Sequence, residues 1–324
     1  MKAIRIHEIG GPEVLRFDDV DIGTPGPGEV LVRHTAIGVN FIDTKYRKGE
    51  YPLAELPAIL GNEAAGVVEA IGDGVSEVAV GDRVAYGVGP TGADADYRVM
   101  PPRNLVVLPD TIDDKTAAAM MLKGLTAHYL ARSSYVAGAG DTVLVQAAAG
   151  GVGTILCQLL NHAGATVIGA VSSDEKAAQA AAHGCTHPVV HTKEDLLDRV
   201  RAITDGEGVA AVYDSVGRDT FETSLKCLRR RGTMVTFGTA SGPIPPFDLF
   251  RLNLMGSLYV TSAGLADYTA TREEMLTRAN ELFALVADGT LRIEVNQSWP
   301  LAEAAEAHRA LESRGTTGSS VLLP

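Results

Sequence analysis

The sequence predicts an α/β protein of two parts: a compact, barrel-like β domain and a doubly wound parallel sheet with helices on both faces. Three observations carry this. Up to about residue 110, short β-type runs (EVLVRHTAIGV, AAGVVEAI, DRVAYGV, NLVVLP) alternate with Gly/Pro punctuation (GTPGPGE, GDGV, GPTG), the texture of a closed all-β domain. Beyond TIDDKTAAAMMLKGLTAHYLA, strand-like and helix-like segments alternate, which argues for parallel strands joined by helical crossovers. The first of those strands, DTVLVQAAA, runs directly into a glycine-rich turn.

In order along the chain, Thr111 is a plausible N-cap for the Ala-rich helix that follows it. DTVLVQAAA then leads to a helix through GTILCQLLNHAG, the strand ATVIGAVSS, a helix through EKAAQAAAHG and the strand VAAVYDSVG. A helix through TSLKCLRRRG and the strand GTMVTFG follow. Arg229-Arg230-Arg231 suggests a phosphate patch. Its place at the end of a predicted helix, just before Gly232, favours a complement to the negative C-terminal end of the helix dipole.

Size and composition narrow the function. A chain of 324 residues and 34.0 kDa has room for two domains with a core each. With 46% hydrophobic and 21% charged residues it has the balance of a soluble protein. No apolar run approaches the roughly 18 residues of a membrane span. MKAIRIHEIG lacks the apolar core of a signal peptide, so a cytoplasmic location without membrane contact is expected. Cys157, Cys185 and Cys227 have no CxxC spacing and read as reduced core residues. A formal charge of −12 argues against nucleic acid as a partner and requires any phosphate to be held locally.

The glycine-rich turn is the strongest motif. Ala148-Ala149-Gly150-Gly151-Val152-Gly153 lies between a buried strand and a helix, where backbone approaches a pyrophosphate and the helix N-terminus meets its charge. The match is imperfect, because Ala148 stands where the first glycine of GxGxxG belongs. At the end of the second strand, an enzyme that uses NAD usually carries an acid to bind the ribose 2′-hydroxyl. Here Ser172-Ser173 stand there, with Lys176 one helical turn on, a set suited to a 2′-phosphate and hence to NADPH. Asp174 and Glu175 favour the start of the next helix. A solvated surface role for Lys176 is the alternative. In the first part, Asn62-Glu63 heads a strand that should be buried, and an ionisable group there suggests a site.

These and further segments are shared with one family. The chain resembles the quinone oxidoreductases of the zinc-independent medium-chain dehydrogenase/reductase superfamily, the bacterial NADPH-dependent branch above all. The likeness runs through GGPEVL, GVNFIDTKYRKGEYP, GNEAAGVVEAIGDGV, GDRVAYG, LKGLTAHYL, AAAGGVG, VYDSVGRDTF, RRGTMVTFG, GSLYVT and ESRGTTGSS. It implies a GroES-like catalytic domain over residues 1–121, a Rossmann NADPH-binding domain over 122–262 and a return to the catalytic domain over 263–324. It also implies hydride transfer to small quinones, with reduction of conjugated enones, alkenals or enoyl thioesters as the alternative. A crystallin-like or RNA-binding role, known among relatives, is the reading from a different class. The zinc ligands of metal-dependent relatives correspond to Asn40, Asn62 and Leu122, and the structural-zinc lobe to the short VGPTGADADYRVM, so no metal is expected. Glu63 is then expected to serve a structural role.

The resemblance further implies that Asn40, Tyr46 and Thr126 form the catalytic set, with Asn40, Lys123 and Thr126 beside the nicotinamide half of the cofactor. Ala149, Gly150, Gly151, Val152 and Gly153 would hold the pyrophosphate; Ser172, Ser173, Lys176 and His191 the 2′-phosphate. Ser215, Gly217, Phe237, Gly238, Thr261, Arg314 and Gly318 would complete the cofactor site. Lys45 stands where the family commonly has tyrosine, displacing the aromatic to Tyr46. A homodimer, paired along the strand in GSLYVT, is expected.

Overall fold

The computed structural model describes residues 1–324, which divide into two compact units. The first comprises Met1–Leu125, Thr269–Asp288 and Ile293–Pro324; the second comprises Thr126–Tyr268 and Gly289–Arg292.

The first unit is built on a sheet in which Val30–Val39 lies between Glu63–Ile71 and Ser319–Leu323, both antiparallel to it. Arg83–Tyr86 and Val106–Val107 extend one side, Val295–Pro300 the other, and Tyr97–Met100 pairs with the long Val30–Val39 strand. Val30, Val32, Val68, Val84, Leu105 and Leu322 fill the interior. Residues Leu15–Asp19, Lys2–Ile6 and Ala58–Ile59 form a smaller sheet. The return of the C-terminal strand is fixed by the pairing Ser320↔Val39 and by Ser319 Oγ, which donates to Ala119 O at 2.9 Å.

The second unit is a parallel sheet in the order His187–Val190, Thr166–Val171, Thr142–Gln146, Val209–Asp214, Leu228–Thr236 and Tyr259–Ser262. Numbered along the chain, that order is 3-2-1-4-5-6, the doubly wound arrangement whose crevice lies at the carboxyl ends of the strands. The central strands are apolar on both faces, as buried parallel strands must be, and Val209–Asp214 is buried at every residue. The three cysteines are buried free thiols. No helix is long and apolar enough to cross a membrane.

Two local expectations are corrected. The helix Asp114–Tyr129 is capped by Asp113, not Thr111: its Oδ1 accepts from Thr116 N at 3.0 Å. Arg229, Arg230 and Arg231 do not end a helix. The preceding helix, Phe221–Cys227, stops before them, and they open the strand Leu228–Thr236, because Leu228 already pairs with Val209.

Candidate functional site

In the first unit, Glu63 is completely buried and its carboxylate is fully engaged. Oε2 accepts from Asn40 Nδ2 at 2.8 Å and from Lys123 Nζ at 3.0 Å, while Oε1 accepts from the backbone N of Leu122 at 2.7 Å. The elements are brought this close because Gly38 has no side chain: a Cβ there would lie 2.2 Å from both Glu63 Oε2 and Ala118 O. Asn40 ends the long strand and starts the helix Phe41–Arg47, its backbone N donating to Asp43 Oδ2 at 2.8 Å in a capping arrangement. Asp43 Oδ1 in turn accepts from Asn62 Nδ2 at 2.6 Å.

Burial pushes the Asp43 carboxyl up to about 7, although the hydrogen bonds from Asn62 and Asn40 and the charge of Lys123 pull the other way. Asp94, from the short lobe GADAD, is also buried and is pushed well above the usual carboxylate range by burial and then by the charge of Asp43. Sequence reasoning missed both carboxyls. The one available signal was an acid three residues after Asn40, the spacing of a capping box.

The donor set does not fit a catalytic zinc. Asn40 and Asn62 spend their amides on Glu63 and Asp43, and Leu122 offers a hydrocarbon from the middle of the helix Asp114–Tyr129. No group of three or more His, Cys, Asp or Glu able to hold a metal ion is found in the chain.

Of the other residues singled out in this unit, Tyr46 is half-buried and stacks edge-on against Tyr51 at 5.5 Å, outside the Glu63 network. Its phenol is pushed upward by burial and then by Asp43. Lys45 is buried and pairs with Glu50 at 2.5 Å. Arg314 follows the helix Ala304–Glu312 in a left-handed conformation, and Gly318, with φ 59°, closes against Asn296 and Glu294.

In the second unit the strand Thr142–Gln146 leads through Ala147, at φ 53°, into the helix Gly151–His162. Gly150 N donates to Ala147 O at 2.9 Å, closing the turn. The backbone N–H groups of Gly151, Val152 and Gly153 open the helix without intrahelical acceptors, and its first turn carries no acid to compete for them. Gly153 is needed for close approach: a Cβ would fall 2.4 Å from Ala147 O. Ala148 fits where a glycine was expected because its partner is itself glycine, Gly169, whose own Cβ would stand 2.7 Å from the Ala148 methyl. Ala149 is buried beside it.

At the end of Thr166–Val171, Ser172, Ser173, Lys176 and His191 come together. His191 N donates to Val171 O at 3.0 Å, Thr192 Oγ1 donates to Ser172 O at 3.1 Å, and Ser173 Oγ accepts from Lys176 N at 3.3 Å as the N-cap of Asp174–Ala182. That bond uses the serine oxygen as acceptor, and the hydroxyl side chain also hydrogen-bonds the Glu175 carboxylate, which lowers that acid below its ordinary value. Lys193, which sequence reasoning missed, pairs with Asp174 at 2.5 Å and offsets the charge of that acid. The cradle therefore fits a 2′-phosphorylated dinucleotide: glycines where side chains would collide, free N–H groups at a helix start, and no acid at the ribose position.

Ser215, Gly217, Phe237, Gly238 and Thr261 gather at the same carboxyl edge. Asp214 Oδ1 accepts from Val216 N, Gly217 N and Thr220 Oγ1, and Oδ2 from Ser224 Oγ, which fixes the loop containing Ser215 and Gly217. Phe237 N donates to Asp214 O at 2.9 Å, and Gly238 lies so close to Ser215 that a Cβ would be 2.7 Å from its carbonyl. Thr261 pairs with Val235 on the edge strand. Lys123 and Thr126 are both buried and lie one turn apart on the helix Asp114–Tyr129.

Known proteins share this arrangement. Residues 151–281 match the zinc-binding dehydrogenase family and residues 26–110 the alcohol dehydrogenase GroES-like domain. A quinone oxidoreductase of Pseudomonas aeruginosa is 51% identical, covering 100% of this chain and 99% of that protein. The crystal structure of Escherichia coli quinone oxidoreductase complexed with NADPH superposes with a TM-score of 0.98 at 45% identity, covering 100% of both chains. A 2-haloacrylate reductase of a Burkholderia species is 44% identical, with 98% of each chain covered. Likeness of that extent across both units leaves one conclusion: the chain belongs to the medium-chain dehydrogenase/reductase family, among its quinone oxidoreductases.

Proposed function

We propose that this protein is an NADPH-dependent quinone oxidoreductase that reduces small quinones without a metal, working in the cytoplasm as a homodimer. The observation that carries the reading is that Asn40, Asn62 and Leu122, which the family resemblance sets at the metal-donor positions, surround the saturated Glu63–Lys123 pair and offer no set of metal donors. An ordinary ketone needs a Lewis acid to polarise it, whereas a quinone accepts hydride readily once positioned and shielded from water. When bound, NADPH supplies that hydride.

Gly150, Gly151, Val152 and Gly153, with Ala149 behind them, hold the pyrophosphate through backbone N–H groups. Ser172, Ser173, Lys176 and His191 hold the 2′-phosphate. Asn40, Lys123 and Thr126 orient the nicotinamide half, and Ser215, Gly217, Phe237, Gly238, Thr261, Arg314 and Gly318 complete its seat. Tyr46 contributes to the quinone side. Glu63 acts through Asn40 and Lys123, fixing both in place. Protons reach the reduced quinone from water.

Three reduced, buried cysteines suit a cytoplasmic protein. Dimerisation is supported by the sheet edge Tyr259–Ser262, whose outer backbone groups are unpaired, and by the apolar side chains around it: Leu249, Phe250, Leu254 and Tyr259 are 74%, 63%, 72% and 61% exposed. Reduction of conjugated alkenes is the second reading, favoured by the likeness to 2-haloacrylate reductase. The test is NADPH oxidation with 1,4-benzoquinone and with a conjugated enone or acrylate in parallel, alongside an RNA mobility shift. Faster turnover of the alkene would transfer the assignment to the second reading. RNA binding with no turnover would remove both. Light scattering at micromolar concentration should give twice the chain mass, and a monomer would refute the dimer.

A further inference from the structure

The three arginines that open the strand Leu228–Thr236 have no part in the function just proposed. They line a surface concavity of about 780 Å³ together with Gly206, Glu207 and Tyr259. It lies at the amino ends of the parallel strands, the opposite edge of the sheet from the glycine-rich turn. Consecutive residues of a regular strand point to alternate faces, so three neighbours would not share one hollow. Here the pairing skips: between Val209↔Leu228 and Ala211↔Thr233, Ala210 alone faces Arg229 to Gly232. The surplus residues bulge outward, with Arg231 in a left-handed conformation at φ 58° and its N–H donating to Gly256 O at 2.8 Å. A non-glycine residue held there is strained, and bulges of this kind re-aim side chains.

Arg229 is partly neutralised by Asp141 at 3.3 Å, and Glu207 contributes one negative charge to the lining. The guanidinium groups of Arg230 and Arg231 make no hydrogen bond or ion pair with the rest of the protein. The stem of Arg230 is seated against Gly256, where a Cβ would stand 3.2 Å from its Cγ. Two adjacent unpaired guanidinium forks on a strained bulge, in a chain of net charge −12, concentrate anion-binding groups that the fold itself leaves unused.

We propose that the arginine bulge is a binding site for a small multivalent oxyanion of the diphosphate class, separate from the dinucleotide cradle. The test is isothermal titration calorimetry of the full-length protein, saturated with NADPH, with inorganic pyrophosphate as the probe and phosphate and citrate as comparison arms. Saturation keeps the probe out of the glycine-rich turn. One pyrophosphate should bind per chain. Affinity should fall about tenfold or more in Arg230→Gln and in Arg231→Gly, and less in Arg229→Gln. Glycine at 231 accepts the left-handed backbone, so that variant folds normally and NADPH affinity stays unchanged in all three. Citrate binding as tightly as pyrophosphate would replace the diphosphate class by a tricarboxylate one. The site is refuted if no binding is detected up to about 10 mM pyrophosphate. It is equally refuted if both the 230 and 231 variants bind like the parent, an outcome that would leave the arginines as charges guarding the sheet edge.

Discussion

Replacing Glu63 by Gln removes one charge and almost no volume, so its effect reports the electrostatics of the buried network. The carboxylate receives three donors: Asn40 Nδ2 and Lys123 Nζ on one oxygen, Leu122 N on the other. A glutamine has a single acceptor oxygen. If that oxygen faces Asn40 and Lys123, its NH₂ meets the Leu122 N–H; if it faces Leu122, the NH₂ meets an amide and an ammonium. One arrangement loses a backbone hydrogen bond, at about 1–3 kcal/mol, and both leave the Lys123 ammonium, only 7% exposed, without its counter-charge. Breaking a buried ion pair from one side costs about 3–5 kcal/mol, and since these terms overlap, about 3–5 kcal/mol is expected in total. The sole tryptophan, Trp299, packs against the core of the same unit and reports its unfolding in urea. The Glu63→Gln/Lys123→Met double variant should recover about 2 kcal/mol or more, because it removes both charges. A single-variant loss below about 1 kcal/mol, or no recovery in the double, would refute the ion pair as the organising contact.

Further outcomes follow from the same structure. Lys176→Ala should weaken NADPH binding by about 1–3 kcal/mol and leave NADH nearly unchanged, as read by fluorescence titration; equal losses would show that Lys176 does not recognise the phosphate. Gly153→Ala places a methyl against Ala147 O and should abolish measurable NADPH binding, so retained binding would dispose of the close-approach argument. Asp43 is held at about 7 in the folded state against about 3.8 unfolded, so its bound proton stabilises fully below about 3.8 and that contribution is lost as pH rises through 7. Urea titrations should therefore show Asp43→Asn gaining about 3 kcal/mol on the parent between pH 5 and pH 8. His308 behaves oppositely: burial, and then Arg47, lower it from 6.5 to about 3, so stability falls as pH drops below 6.5, by about 2 kcal/mol at pH 5, and His308→Gln should lack that loss.

What the sequence revealed and what it hid divide by the range of the interactions. The strand–turn–helix at Gln146–Gly153 is a local event, since the glycines that permit the turn and the helix that follows it are neighbours in the chain, and so it was legible. Ala148 looked like a defect in the motif only because its partner, Gly169, comes from the next strand. LKCLRRRG reads as a helix end because leucine, lysine and arginine are good helix formers and Gly232 is a natural stop. The chain becomes a strand at Leu228 because it pairs with Val209, which no local propensity records. The Glu63 network was hidden for the same reason: its partners lie 23, 59 and 60 residues away. The displacement of tyrosine to position 46 was visible, but its consequence was not. The edge-on contact with Tyr51 and the Lys45–Glu50 pair show that the helix Phe41–Arg47 presents Tyr46 on its own terms.

The buried polar centre of the first unit also accounts for its carboxyl groups without a metal. Glu63, Asp43 and Asp94 are all within the interior, and Lys123 is the cation bonded to that cluster. Three ionised carboxylates facing one ammonium would leave an excess of buried negative charge, which a low-dielectric interior does not tolerate. The structure meets this in two ways. Glu63 takes the ammonium, together with two further donors. Asp43 is pushed upward by burial and by the charge of Glu63, and Asp94 by burial and by the charge of Asp43, so that they hold protons at pH values where exposed acids are ionised. One lysine and retained protons thus balance the buried charge, and the amides of Asn40 and Asn62 orient the carboxyl oxygens of Glu63 and Asp43.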